Sequence, residues 1–189
     1  IFMVSSSKRK KKAIVFVDGN NWYHNVKKVI RKPRDIKIPK VAEMICKHFD
    51  LELVGIKYYN SIPNIESGED NYYKHMVFLT GLKKQGVNVK TRKLKRVNEN
   101  GVSIWVEKGV DLMIGSDIMD NCLIKEKCDT AVLISGDSDF IPVMDLVKLK
   151  GKEVLTASVD KGYARELMRG NFRFWIMKRR DLEACYLEK

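Results

Sequence analysis

The chain has 189 residues, 44% of them hydrophobic, with 36 Lys and Arg against 24 Asp and Glu and a net charge of +12. That length and apolar content suit one domain with its own core and exclude a disordered chain. No apolar run approaches the roughly 20 residues of a membrane helix, and the first seven residues lead into a basic run without a signal peptide's apolar core, so a membrane partner is not expected.

The charge is concentrated: residues 8–12 and 83–96 carry +5 and +7 and account for all of it. Residues 1–12 are read as a basic, flexible tail and 13–189 as a single domain. The run Ala13-Ile14-Val15-Phe16-Val17 predicts a strand buried on both faces, as in a parallel sheet, ending in Asp18-Gly19-Asn20-Asn21. A helix follows over 21–31, stopping before Pro33, and a second over 39–49 with Val41, Met44, Ile45 and Phe49 on one face. Residues 51–59 predict the next strand, 60–70 a polar loop and 71–85 a helix closed by Gly86. Two strands over 87–97 and 102–106 flank Asn98-Glu99-Asn100-Gly101, a hairpin-turn signal. Leu94 stands among Lys93, Lys95 and Arg96, which predicts an exposed basic ribbon. A helix over 110–121, a buried strand over 130–134, a helix over 140–150 and a strand over 153–157 complete the alternation; a short helix over 164–169 and a strand over 172–177 close it. Strands alternating with helices predict an α/β sandwich with a mainly parallel sheet.

Cys46, Cys122, Cys128 and Cys185 form no C-x-x-C pair, and His24, His48 and His75 fall outside metal-ligand spacing from them. Zinc is therefore not expected, and free thiols in a reducing, cytoplasmic setting are. No nucleotide phosphate loop of either glycine-rich pattern is present.

Ligands of open α/β sheets sit at the carboxyl ends of strands. Asp18 ends the first strand, Asp137 and Asp139 follow the strand over 130–134, and Asp111 opens a helix after Lys108-Gly109-Val110. Converging carboxylates need a cation, and oxygen ligands without Cys or His select Mg²⁺ or Mn²⁺. In a basic chain such a site suits phosphodiester hydrolysis. Each acid also has a plainer reading as a helix N-cap or turn residue. Asp117 lies six residues after Asp111 and reads as a supporting or solvent-facing acid; Asp120 lies nearly opposite Asp111. Trp22, Tyr23, Trp105 and Trp175 are candidates for base stacking or for the core, and His24 for the helix surface.

Val17-Asp18-Gly19-Asn20-Asn21, Lys108-Gly109-Val110-Asp111 and Ser135-Gly136-Asp137-Ser138-Asp139-Phe140, in that order, resemble the NYN domain, in particular its LabA-like branch, within the PIN-like nuclease superfamily. The resemblance covers 13–157. It implies a PIN-like three-layer α/β/α sandwich with a mainly parallel central sheet, here with an inserted basic β-hairpin, and a metal-dependent nuclease acting on RNA. By motif match Asp18, Asp111, Asp137 and Asp139 are the metal-binding acids, and Asn21 positions water or phosphate. Ser135 and Ser138 line the substrate side, and Lys108 faces the phosphate backbone. The hairpin precedes the Asp111 motif, which predicts that Arg92, Lys93, Lys95 and Arg96 guide RNA at the rim. The expected products carry a 5′-phosphate and a 3′-hydroxyl, and a homodimer extending the groove is compatible with this reading. The alternative is a non-catalytic RNA-binding or protein-interaction module of the same fold. A haloacid-dehalogenase-type phosphotransferase fits less well, because its paired aspartates follow the first strand and here Asp137-Ser138-Asp139 comes late.

Overall fold

The structure is a computed structural model and describes residues 9–99, 101–160, 162–170 and 172–186. Its centre is a six-stranded, wholly parallel sheet. The strands are β1 (Lys11–Asp18), β2 (Leu51–Ile62), β3 (Asn88–Lys93), β6 (Thr130–Ile134), β7 (Glu153–Val159) and β8 (Arg173–Met177), in the order β3-β2-β1-β6-β7-β8. A separate antiparallel hairpin, β4 (Lys95–Glu99) and β5 (Val102–Val106), stands outside it.

The two central strands carry the apolar runs. Residues 13–17 of β1 pair with 130–134 of β6, and both segments are buried on both faces, the pattern that a parallel sheet covered by helices demands. Alternation along β1 sorts the core into two layers. Ala13, Val15 and Val17 meet α1 (Gly19–Val26), α2 (Ile38–His48), α3 (Glu69–Lys84) and α7 (Arg179–Glu183). Ile14 and Phe16 meet α4 (Val110–Met119), α5 (Ile141–Leu149) and α6 (Glu166–Arg169). The result is the three-layer α/β/α sandwich. Among the described residues no helix is long and apolar enough to cross a membrane.

Several predicted elements differ in extent. Lys11 and Lys12, read as the end of the basic tail, open β1, and residues 1–8 lie outside the described residues. The first helix stops at Val26 rather than 31, because Lys28 and Val29 donate to carbonyls three residues back and tighten the chain into a turn. β2 runs on through Asn60, Ser61 and Ile62, which were expected in a loop, because β3 pairs with them. The strand expected over 87–97 is two strands. Leu94 still donates to the Ile62 carbonyl at 3.2 Å, but the chain then leaves the sheet, so Arg92 and Lys93 belong to the central sheet's edge and only Lys95 and Arg96 to the hairpin. After α4 a π-helical turn, Asp120–Ile124, extends the helical stretch, and α7 was not foreseen. Trp175 stacks on His48 at 4.2 Å with Phe49 at its edge, a core packing role.

Candidate active site

The chain leaves β1 for one face of the sheet and β6 for the other, so the carboxyl ends of these neighbours flank the crevice where doubly wound sheets bind ligands. Asp18 closes β1 at that point. Its Oδ1 accepts from the Asn21 backbone N–H at 3.1 Å, capping α1, and its Oδ2 accepts from Ser135 Oγ at 3.0 Å. Asp18 is only 4% exposed. Burial pushes its carboxyl up to about 6; the bonds from Asn21 and Ser135 pull it back, and the charges of Asp111 and Glu107 push it further up.

The third motif folds over the first. Asn21 Oδ1 accepts from the Gly136 N–H at 2.9 Å and from Asn25 Nδ2 at 2.8 Å, and Asn25 Nδ2 also reaches the Gly162 carbonyl at 2.8 Å. Gly136 has no room for a side chain: a Cβ there would lie 1.7 Å from the Gly162 carbonyl oxygen. Ser135 is buried beneath the cleft, its hydroxyl donating to Asp18 and accepting from the Asp137 N–H at 3.2 Å. Asp137 accepts from the Asp139 N–H at 2.9 Å and caps the 3-10 turn Ser138–Phe140.

The second motif supplies the opposite wall. Gly109 takes φ +81, a left-handed conformation that costs other residues strain, and the Arg92 guanidinium comes within 3.2 Å of where its Cβ would stand. Asp111 follows in the first turn of α4. Its carboxyl is raised by desolvation and by the charges of Asp137, Glu107 and Asp139.

Asp18, Asn21, Glu107, Asp111 and Asp137 thus line one cleft of about 400 Å³, with Asn20, His24, Asn25 and Gly109. Glu107 is absent from the motif reading. The rule that singles out acids at strand ends reaches it, since it directly follows β5; its Oε2 accepts from Ser61 Oγ. Asp139 is exposed and stands outside the lining, close enough for its charge to act on Asp111.

The remaining candidates are dispersed. Asp117 sits under the sheet edge, held by Tyr59 Oη at 2.7 Å, Lys90 Nζ at 2.6 Å and Lys57 Nζ at 3.4 Å. It is half-buried; desolvation raises its carboxyl, but the bonds from Lys90 and Tyr59 and the lysine charges prevail and hold it below the usual range. Lys93 lines a smaller hollow beside Leu94. Arg96 faces Trp105 across the hairpin, whereas Lys95 pairs with Val106 and points to the other side. Lys108 is exposed before Gly109, and Ser138 is half-buried in the 3-10 turn.

Apart from the His24 imidazole, the side-chain donors facing the cleft are carboxylate and amide oxygens, the chemistry of Mg²⁺ or Mn²⁺. Among the described residues no three His, Cys, Asp or Glu side chains form a protein-only metal cage. An open acidic cleft fits Mg²⁺ all the same, because that ion keeps several waters and binds through one or two carboxylates and substrate phosphate. The upward pressure on Asp18 and Asp111 is the electrostatic demand that such a cation relieves.

Known proteins place the chain in context. The model of the NYN domain matches residues 12–177. The "Low amplitude and bright protein LabA" of Synechococcus elongatus is 26% identical over 170 residues, covering 88% of this chain and 83% of that protein. A crystal structure of a Vibrio parahaemolyticus protein of unknown function superposes with a TM-score of 0.61 at 18% identity, covering 92% of this chain and 98% of that one; this likeness concerns the fold.

Proposed function

The chain belongs to the NYN domain family, a branch of the PIN-like nuclease superfamily, and from that premise we propose that it is a metal-dependent endoribonuclease hydrolysing RNA phosphodiester bonds. The observation that carries the reading is the convergence of Asp18, Glu107, Asp111 and Asp137 on one cleft in a chain of net charge +12. Acids alone would repel a phosphate; cations around and within the cleft reverse that.

Asp18, Asp111 and Asp137 would hold Mg²⁺ or Mn²⁺, with Asp139 and Glu107 at the margins. When bound, the ion would supply neutralising charge at the scissile phosphate and acidify water there. The chain's own contribution is rigidity. Asp18 is fixed by bonds to both oxygens, and Asn21 ties the strand bearing Asp18 to the loop bearing Asp137. Arg92, packed on Gly109, offers a guanidinium to an adjoining phosphate. In-line attack by water leaves a 5′-phosphate and a 3′-hydroxyl.

The test is cleavage of a labelled RNA with Mg²⁺, Mn²⁺ or EDTA, comparing wild type with Asp137→Asn. Cutting that needs metal and is lost in the variant, with RNA affinity retained, is the expected result. Cutting by Asp137→Asn at the wild-type rate overturns the site. Binding without cutting by either protein favours a non-catalytic RNA-binding module.

A further inference from the structure

A second groove, of about 470 Å³, adjoins the acidic cleft and shares Asn20 and Glu107 with it. Its floor is Trp22 and Tyr58, both buried, with Phe78 edge-on to Tyr58 at 5.9 Å. Its walls are Tyr23 and Trp105. These two are half-buried and belong to neither apolar core. Arg34 lies over the Tyr23 ring at 5.5 Å, and Arg96 is the cross-strand neighbour of Trp105 in the hairpin. The polar rim comes from Asn60, Ser61 and His75. His75 donates to the Ser61 carbonyl, and its Nε2 is buried without a partner. Desolvation and the Arg34 charge push the ring's pKa down, favouring the neutral form whose Nε2 is an acceptor.

Aromatic walls, flanking guanidinium groups and a few edge-on polar atoms are the chemistry that seats a nucleobase. We propose that this groove is a base subsite: it takes one unstacked base of a single-stranded RNA whose adjoining phosphate lies in the acidic cleft. The proposal rests on the reading of that cleft as a phosphodiester site. The track continues, since Pro63 and Leu94 also line the smaller hollow of about 250 Å³ that holds Tyr72 and Lys93. The strand is therefore held on one side of the scissile bond, past Trp105 and towards Lys93, and a base inside a duplex cannot enter.

Direct binding in EDTA, where cutting is suppressed, separates this proposal from catalysis. The probe is a fluorescein-labelled single-stranded RNA decamer in which one base at a time is replaced by an abasic residue, read by anisotropy. In wild type, one abasic position, or two adjacent ones, should weaken binding by roughly 5- to 150-fold, the range of one base–aromatic stack. In Trp105→Ala the intact RNA should bind more weakly and the abasic series should flatten, while Trp105→Phe should restore both. A flat abasic series in wild type overturns the subsite even if metal-dependent cutting is lost in Asp137→Asn. A positional abasic effect erased by Trp105→Ala supports the subsite even if no cutting is seen. Equal affinity for the decamer and for its full duplex overturns it.

Discussion

Asn21 Oδ1 accepts the Gly136 N–H at 2.9 Å, so one amide of the first motif holds the backbone of the third. The same oxygen accepts from Asn25 Nδ2. Asn21 is thus a positioning residue: it sets the distance between Asp18 and Asp137. Replacing it with Ala strands the N–H of a buried glycine, which costs about 1–3 kcal/mol. Urea denaturation of Asn21→Ala should show that loss, with cutting reduced further than stability alone explains. An unchanged midpoint would mean the clamp carries no energy.

Asp18 is a charge the metal-free fold tolerates poorly. Its carboxyl rises to about 6 from the usual 3.8. A raised carboxylate pKa means that stability is fully present below pH 4 and falls as pH rises through 6. Two units correspond to about 3 kcal/mol at most. Asp18→Asn in EDTA should therefore unfold at higher urea than wild type at pH 7.5 and show no such gain near pH 4. Added Mg²⁺ should stabilise wild type only.

Asp117 is the opposite case, with a carboxyl held low by its Lys90 and Tyr59 bonds. A depressed pKa contributes stability above the ordinary carboxylate value, and that contribution disappears as acid titrates the group. Asp117→Asn should lose about 1–2 kcal/mol at pH 7, less than a fully buried pair would because water screens the lysines. The deficit should shrink below pH 3. RNA cutting should persist, since Asp117 lies outside the cleft; a dead but folded variant would place it in the site after all.

The basic residues should separate by where they point. Arg92 packs on Gly109 at the cleft and Arg96 lies on the Trp105 side of the hairpin, while Lys95 lies on the far side. Arg92→Ser and Arg96→Ser should each lower the slope of log affinity against log salt by roughly 0.7–1, whereas Lys95→Ser should leave it unchanged. Equal effects at all three positions would make the ribbon a diffuse charge rather than a track.

The sheet was legible because Val, Ile and Ala runs bounded by acids leave little choice: a strand buried on both faces belongs in a parallel sheet. The acids were legible for the same reason, since Asp18, Asp111 and Asp137 fall at strand or helix ends. What escaped depends on tertiary pairing. Lys93-Leu94-Lys95 has no local signal to say where β3 stops and the hairpin starts; the break falls at Leu94, after its bond to the Ile62 carbonyl. Glu107 directly follows β5, where the strand-end rule reaches it, but it stands outside the three motifs. Asn21 lines the cleft as its motif implies, and its added role as an acceptor for the Gly136 N–H is written in no local pattern, nor is the burial of Ser135 beneath the cleft. Trp105 suits either a core or a stacking role by sequence, and only the tertiary structure sets it outside both cores.

The sheet order has a temporal meaning. β1 is made first, yet it lies between β2 and β6, and Asp137 arrives only with the chain that follows β6. During synthesis the ribosome releases Asp18 long before Asp137, with Glu107 and Asp111 between them. An unfinished chain holds its acids apart, because nothing braces β1 on its open side until β6 docks. Assembly of the cleft thus reports completion of the core, and a half-made molecule carries its basic residues before its acids can converge.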